Sequence, residues 1–374
     1  MGFKQNISRH LINIPGWRTN RKIMVIESDD WGSIRMPSKA VYESLIHQGI
    51  QVDKLSYNRY DSLACEDDLT SLFEVLYLVK DKNGNPAVIT ANTIVANPDF
   101  VKIKDSGFNH YFYEPFTETL KRYPKHEKSF ELWQQGIKSG IFKPQFHGRE
   151  HLNVARWMQA LRLNTGNARL AFANQMFDLS TSLKISDDSF MDSLNFENIN
   201  EFDSQKQSLI EGLQLFEQLF GYKSLTFIAP CYTWSNVLNK TLKDCNVNAF
   251  QGGRYQFEPL IGDEHKFKKH FHYIGQQNDL GQVYLSRNVE FEPSQKKDFD
   301  WISQVISQME VAFRWHKPAI IQAHRVNFIG SVDKANRDRN LPMFAELLKK
   351  ILNKWPDIEF MSSNQLATTI INNL

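Results

Sequence analysis

The sequence predicts an α/β protein with a parallel sheet. Two observations carry this. Short runs rich in Val, Ile and Phe alternate with longer amphipathic segments to the end of the chain. Four of those runs also end in residues that ionise or bend the backbone, and strand C-termini are where parallel α/β folds build their sites. The alternation alone leaves open whether the sheet is open or closed.

The strand-like runs are Lys22–Ser28, Pro86–Ala91, Lys143–Phe146, Leu225–Ala229, Ala319–Ala323 and Asp357–Met361, with weaker candidates at Asn248–Phe250 and Val283–Phe291. They are short and apolar, as buried strands are. Three helices stand out. Ser204 and Gln207 make a capping-box pattern ahead of Leu209, Ile210, Leu213, Phe216 and Phe220, and Gly221 supplies the stop. A second carries Ile302, Val305, Ile306, Met309, Ala312 and Phe313 and is ended by Pro318. A third starts at Pro342 and carries Phe344, Leu347, Leu348, Ile351, Leu352 and Trp355. At three- and four-residue spacing these are core stripes. Residues 97–142, polar and aromatic with Pro98, Pro115 and Pro124, read as an insertion or lid. Residues 251–282, rich in Gly, His and Lys, read as an irregular excursion. One domain over 1–374 with these decorations is the expectation.

Composition narrows the function. The chain has 374 residues, 41% hydrophobic and 23% charged, enough apolar material for a sizeable core. With 44 basic against 42 acidic residues, the net charge of +2 gives no electrostatic case for nucleic acid or an anionic membrane as partner. No run approaches the ~18 apolar residues of a spanning helix. Met1 to Asn20 lacks the apolar centre of a signal peptide. Cys65, Cys231 and Cys245 are too scattered for a disulfide framework, so reduced thiols in a cytoplasm are expected.

The chemistry collects where the strands end. Asp29-Asp30-Trp31-Gly32 follows the first run, His147-Gly-Arg-Glu-His151 the third, Pro230-Cys-Tyr-Thr-Trp234 the fourth, and His324-Arg325 the fifth. Adjacent carboxylates repel unless a cation or basic group sits beside them; a helix N-cap with a first-turn acid is the plainer alternative. His147 and His151, four apart, share a face if the helix carrying Val154, Trp157, Met158 and Leu161 reaches back to them. Two such imidazoles and one carboxylate suit a catalytic divalent metal; two surface histidines on a first turn would look the same. His324 follows a very apolar run, where it is either a satisfied core residue or a general acid at a polar cleft.

In this order the motifs resemble the polysaccharide deacetylase family, metal-dependent carbohydrate esterases. The matching pieces are Asp29-Asp30-Trp31-Gly32, His147-x-x-x-His151, Phe227-Ile-Ala-Pro230, Asp300-Trp301 and Ile320-Ile-Gln-Ala-His324, spanning Lys22 to Asn327. The resemblance implies an incomplete (β/α)7-type barrel. It also implies Asp29 as general base, Asp30, His147 and His151 as metal ligands, and His324 as general acid. Asp300 would tune His324, with Glu292 as a rival. A backbone N–H of Cys231 or Tyr232 would meet the oxyanion. Trp31, Trp234 and Arg149 join the expected pocket. The cofactor implied is one divalent ion, zinc ahead of cobalt, manganese, nickel or iron, and the partner an acetylated sugar. One departure matters. Ile228 stands where the family places an arginine that orients the base, and Arg149, Arg254 and Arg325 are the candidates to replace it.

Two other readings accompany this one. A glycoside hydrolase would pair Asp29 or Asp30 with Glu150 or Asp188 and leave the histidines unexplained. A carbohydrate-binding protein would have kept the fold and lost the orienting arginine.

Overall fold

The computed structural model describes residues 9–181 and 189–374. Nine parallel strands form one sheet: β1 (Lys22–Trp31), β2 (Ile89–Ile94), β3 (Phe142–Gly148), β4 (Thr226–Phe227), β5 (Ala249–Gly252), β6 (Val283–Ser286), β7 (Val289–Glu290), β8 (Ala319–His324) and β9 (Ile358–Met361). Their order is β6–β5–β4–β3–β2–β1–β8–β7. β9 lies along Lys22–Val25 of β1, on the edge that β2 takes over from Ile26. The two ends of the sheet, β6 and β7, are successive halves of one segment bent at Arg287-Asn288, the first beside β5 and the second beside β8. The sheet therefore curls into a barrel, incomplete where this bent segment bridges its two edges.

The layers follow from the period of two along each strand. On β1, Met24 and Ile26 face the large outer core, shared with the helices, whereas Ile23 and Val25 face an inner one. The inner core also holds Ile320, Leu285 and Ala249, and helix Ser363–Ile371 adds Leu366, Ala367 and Ile370, so the C-terminal helix plugs the barrel floor. Above that plug the inward positions become polar: Glu27 and Asp29 on β1, Asn92 on β2, Gln145 and His147 on β3, Gln322 and His324 on β8. Hydrogen bonds knit this layer, from Gln251 to Thr226 (2.6 Å) and from Thr226 to Gln145 (2.9 Å).

The outer layer includes α1 (Glu66–Tyr77), α2 (Ser129–Lys138), α3 (Val154–Leu163), α4 (Glu201–Phe220), α5 (Trp301–Arg314) and α6 (Lys334–Lys354). Three boundaries differ from expectation. α4 begins a turn before the capping-box pattern, and Ser204 instead bonds back to Glu201 O. α6 runs through Pro342 rather than starting there. α5 ends at Arg314, short of Pro318. Gly221 does stop α4, in the left-handed conformation at φ 75°.

The stretch 97–142 reads from the sequence as an insertion or lid. Its Phe116 and Trp133 belong to the outer core, α2 packs on β3, and none of its residues lines the cleft described below. Of its aromatics Phe116, Tyr123 and Trp133 are core, whereas Phe112 is exposed. Residues 251–282 contain an antiparallel hairpin, Tyr255–Leu260 with Asp263–Phe271, that sends Phe257 and Phe267 into the cleft. Among the described residues no helix is long and apolar enough to cross a membrane.

Candidate active site

A cleft of about 620 Å³ opens at the C-terminal ends of β1, β3 and β8. Both Asp29 and Asp30 line it, although consecutive strand residues normally point to opposite faces. Asp30 makes this possible by adopting φ 72°, and the register with β2 shifts between Ser28 and Trp31. A left-handed non-glycine residue costs roughly 1–2 kcal/mol, a strain typical of functional sites. Gly32 follows at φ 83°, where a Cβ would meet Ile94 O at 2.2 Å. The same bulge turns Trp31 into the core against Trp133 and Phe142, its indole N–H on Ser28 Oγ. Trp31 is thus no pocket residue. Nor is Trp234, which stacks on Phe250 and donates to Asn239.

His147 is inside β3 and His151 in the turn beyond it, while α3 starts only after the Asn153 N-cap. The pair is therefore not on one helical face. A strand end and its turn bring the rings together, centroids 5.1 Å apart. His147 Nδ1 is 2.9 Å from Ile228 O, so it carries the proton and leaves the Nε2 lone pair inward. Each Nε2 is 3.4 Å from Asp30 Oδ1. That is long for a hydrogen bond and about the edge of a coordination shell with bonds of about 2.0–2.2 Å. The three donors lie within 4.8 Å of one another and all three residues are buried. Burial, aided by His147 and Arg35 against the pull of Asp30, holds His151 down at about 3. It is then neutral at pH 7, the form that binds metal. Its buried Nδ1 has no partner among the described residues. The donor set fits a divalent first-row cation.

Asp29 is built differently. It sits opposite His324 in the register of β1 and β8. Arg287 grips it with two bonds, Nη2 to Oδ1 (2.6 Å) and Nη1 to Oδ2 (2.7 Å), and Asn92 donates to Oδ1 (2.7 Å). The same guanidinium places Nε on Glu27 Oε2 at 2.6 Å, and Ser363 holds the other oxygen. Burial would raise Asp29, but Arg287 and then His324 bring it down to about 2. His324 Nδ1 meets Glu292 Oε1 at 2.5 Å, and Asn327 holds Glu292 Oε2. Burial alone would depress His324; Glu292 outweighs it and, with Asp29, raises the imidazole to about 9. Its Nε2 lies 3.7 Å from Asp29 Oδ2.

Two expected partners are replaced. Asp300 does not touch His324. It is the exposed N-cap of α5, accepting from Ser303 N, and Glu292 stands in its place. Of the arginines proposed to orient Asp29, Arg149 pairs with Glu150 and Glu211, Arg325 with Asp61, and Arg254 precedes the hairpin. None is on the base; Arg287 is. The sequence held one signal for it: Glu27, a carboxylate at an inward position of an otherwise apolar strand, which needs a buried cation. Cys231 and Tyr232 do line the cleft, both left-handed at φ 55° and 56°. Glu150 is tied to Arg149 and Tyr111 and lies outside the cleft, and Asp188 lies outside the described residues.

No family model and no curated protein matches the sequence. Solved structures do. One is assigned as a polysaccharide deacetylase from Mycobacterium smegmatis, 11% identical, with TM-score 0.46 over 96% of this chain and 93% of its own. Puue allantoinase is 9% identical, with TM-score 0.48 over 94% and 91%. A 4-alpha-glucanotransferase from Thermococcus litoralis is 10% identical, with TM-score 0.47 over 93% of this chain, which spans only 40% of that enzyme. These are distant likenesses of chain trace.

Proposed function

We propose that the protein is a metal-dependent hydrolase that removes an acetyl group from an N-acetylated, or O-acetylated, sugar or oligosaccharide. One observation carries this reading. The Asp30/His147/His151 donor set shares a cleft with a separate carboxylate, Asp29, and a separate imidazole, His324. A divalent ion held by those three residues, zinc or else cobalt, manganese, nickel or iron, would polarise an acyl oxygen and acidify water.

The remaining steps belong to the chain itself. Arg287 keeps Asp29 ionised and fixed, so that its Oδ2 takes a proton from the attacking water. Glu292 keeps His324 charged, and its Nε2 returns a proton to the leaving amine or alcohol. The Tyr232 N–H donates to Ala229 O, which leaves the Cys231 N–H of this turn to meet the developing oxyanion. The glycosidase alternative is weakened because Glu150 is tied down elsewhere. The binding-only alternative loses its motive, since Arg287 does what the missing arginine would do.

The test is acetate release from N- and O-acetylated sugars, with metal content measured in parallel. About one ion per chain, lost in His147→Ala/His151→Ala, and acetate release abolished by chelation are expected. Asp29→Asn should keep the ion and lose turnover. Refusal of added zinc, cobalt and manganese, or acetate release that survives chelation, would overturn the reading.

A further inference from the structure

We infer that the substrate carries a negative charge, a carboxylate or a phosphate, beside its scissile acyl group, and that Arg35 receives it; this rests on the acyl-sugar reading of the cleft. Arg35 lines the cleft with its side chain only 10% exposed. Other buried arginines of the chain have carboxylates at hydrogen-bond distance: Arg287 has Asp29 and Glu27, Arg325 has Asp61, Arg337 has Asp68 and Arg156 has Asp192. Arg35 does not. Among the described residues its nearest carboxylate oxygen is Asp30 Oδ2 at 3.9 Å. Among the described residues Nη1 donates only to Met191 Sδ at 3.1 Å, a weak acceptor, and the buried Nε has no partner.

A guanidinium offers five N–H donors, and leaving them unanswered away from water is unfavourable. The other carboxylates of the cleft do not resolve this. Asp29 is paired with Arg287 and Asp192 with Arg156, while Glu290 is exposed. Asp30 turns Oδ1 to the two imidazoles. Among the described residues nothing answers the positive charge on this wall, and a group that enters from outside can. The Tyr57 ring lies 5.4 Å from the guanidinium carbon and makes an edge contact with His324 at 5.3 Å. It therefore bridges Arg35 to the proton donor along one wall. A planar fork in that position is matched by a carboxylate or phosphate, which it can hold with two parallel bonds.

Three amino sugars that cannot be turned over test this by calorimetry on the metal-loaded protein: glucosamine, glucosaminuronic acid and glucosamine 6-phosphate. At least one charged sugar should bind about tenfold or more tightly than glucosamine at low salt. Which of them does so separates a carboxylate from a phosphate. Arg35→Met should bring the charged sugars to the level of glucosamine while glucosamine affinity and metal content stay unchanged, and Arg35→Lys should retain part of the preference. Equal binding of all three overturns the inference. So does an Arg35→Met protein that loses metal and weakens all three alike, since Arg35 then acts through Asp30. If none binds while the ion is retained, the amino-sugar reading falls, and this assignment with it.

Discussion

Asp29 and Asp30 are consecutive, both buried, and surrounded in opposite ways. Asp29 is saturated: three strong donor bonds from Arg287 and Asn92, a shared guanidinium with Glu27, and His324 beyond. Among the described residues Asp30 meets only two imidazole nitrogens at 3.4 Å and Arg35 at 3.9 Å, and the His151 Nδ1 beside it is unanswered. A saturated network fixes geometry by itself. An undersaturated one with three ligand atoms facing inward is what a site for an added cation looks like. On the proposed function, the difference separates the half of the site that is built with the fold from the half that a metal ion would complete.

Breaking the saturated half should have the largest effect on stability. Arg287→Met leaves Glu27 as a buried carboxylate without a counter-ion and Asp29 with His324 alone at 3.7 Å, and about 3–5 kcal/mol should be lost in urea unfolding of the metal-free protein. Asp30→Asn breaks no guanidinium–carboxylate hydrogen bond, since Arg35 stands 3.9 Å away, and should cost less than Arg287→Met in the same experiment. It should also abolish the upward shift in midpoint that added metal is expected to give the wild type. Equal losses in the two variants would erase the distinction drawn between the residues.

The His324–Glu292 pair sharpens it through pH. The folded His324 is raised above its ordinary value of about 6.5 to about 9, so its ion pair stabilises fully below pH 6.5 and is lost as pH rises through 9. Stability should fall across that window. Glu292→Gln should flatten the fall and move the His324 titration, followed by NMR of its ring protons, toward the ordinary value. An unmoved titration would remove Glu292 as the cause. The smallest effect is expected at Asp300. Asp300→Ala should cost about 1 kcal/mol through loss of the α5 N-cap and leave the His324 titration untouched.

The strands were legible because burial on both sides makes them apolar, and short apolar runs between amphipathic segments are hard to read otherwise. β1, β8 and β9 begin within a residue of the runs that predict them. Helix starts were less legible: α4 extends past its local signal with Phe202 packed on the core, and the first turns of α6 are held by Asn336 on the Val326 and Ile329 carbonyls and by Arg337 on Asp68. Gathering Asp29, Asp30, His147, His151 and His324 needed only the rule that strand ends converge. Trp31 and Trp234 were misplaced because one-dimensional adjacency to a site says nothing about which way a side chain turns, and the left-handed Asp30 reverses it for Trp31.

By itself, then, the sequence determined the parallel α/β architecture and the residue types at its strand ends, since periodicity and burial are local properties of a chain. Only the tertiary structure decided the partners. Arg287 reaches Asp29 across 258 residues and Glu292 reaches His324 across 32. Closure of the sheet through the bent segment that joins β6 to β7 sets the first of these contacts. It carries Arg287 into the barrel at the height of Asp29 and Glu27, a placement that exists only once the ring of strands has formed.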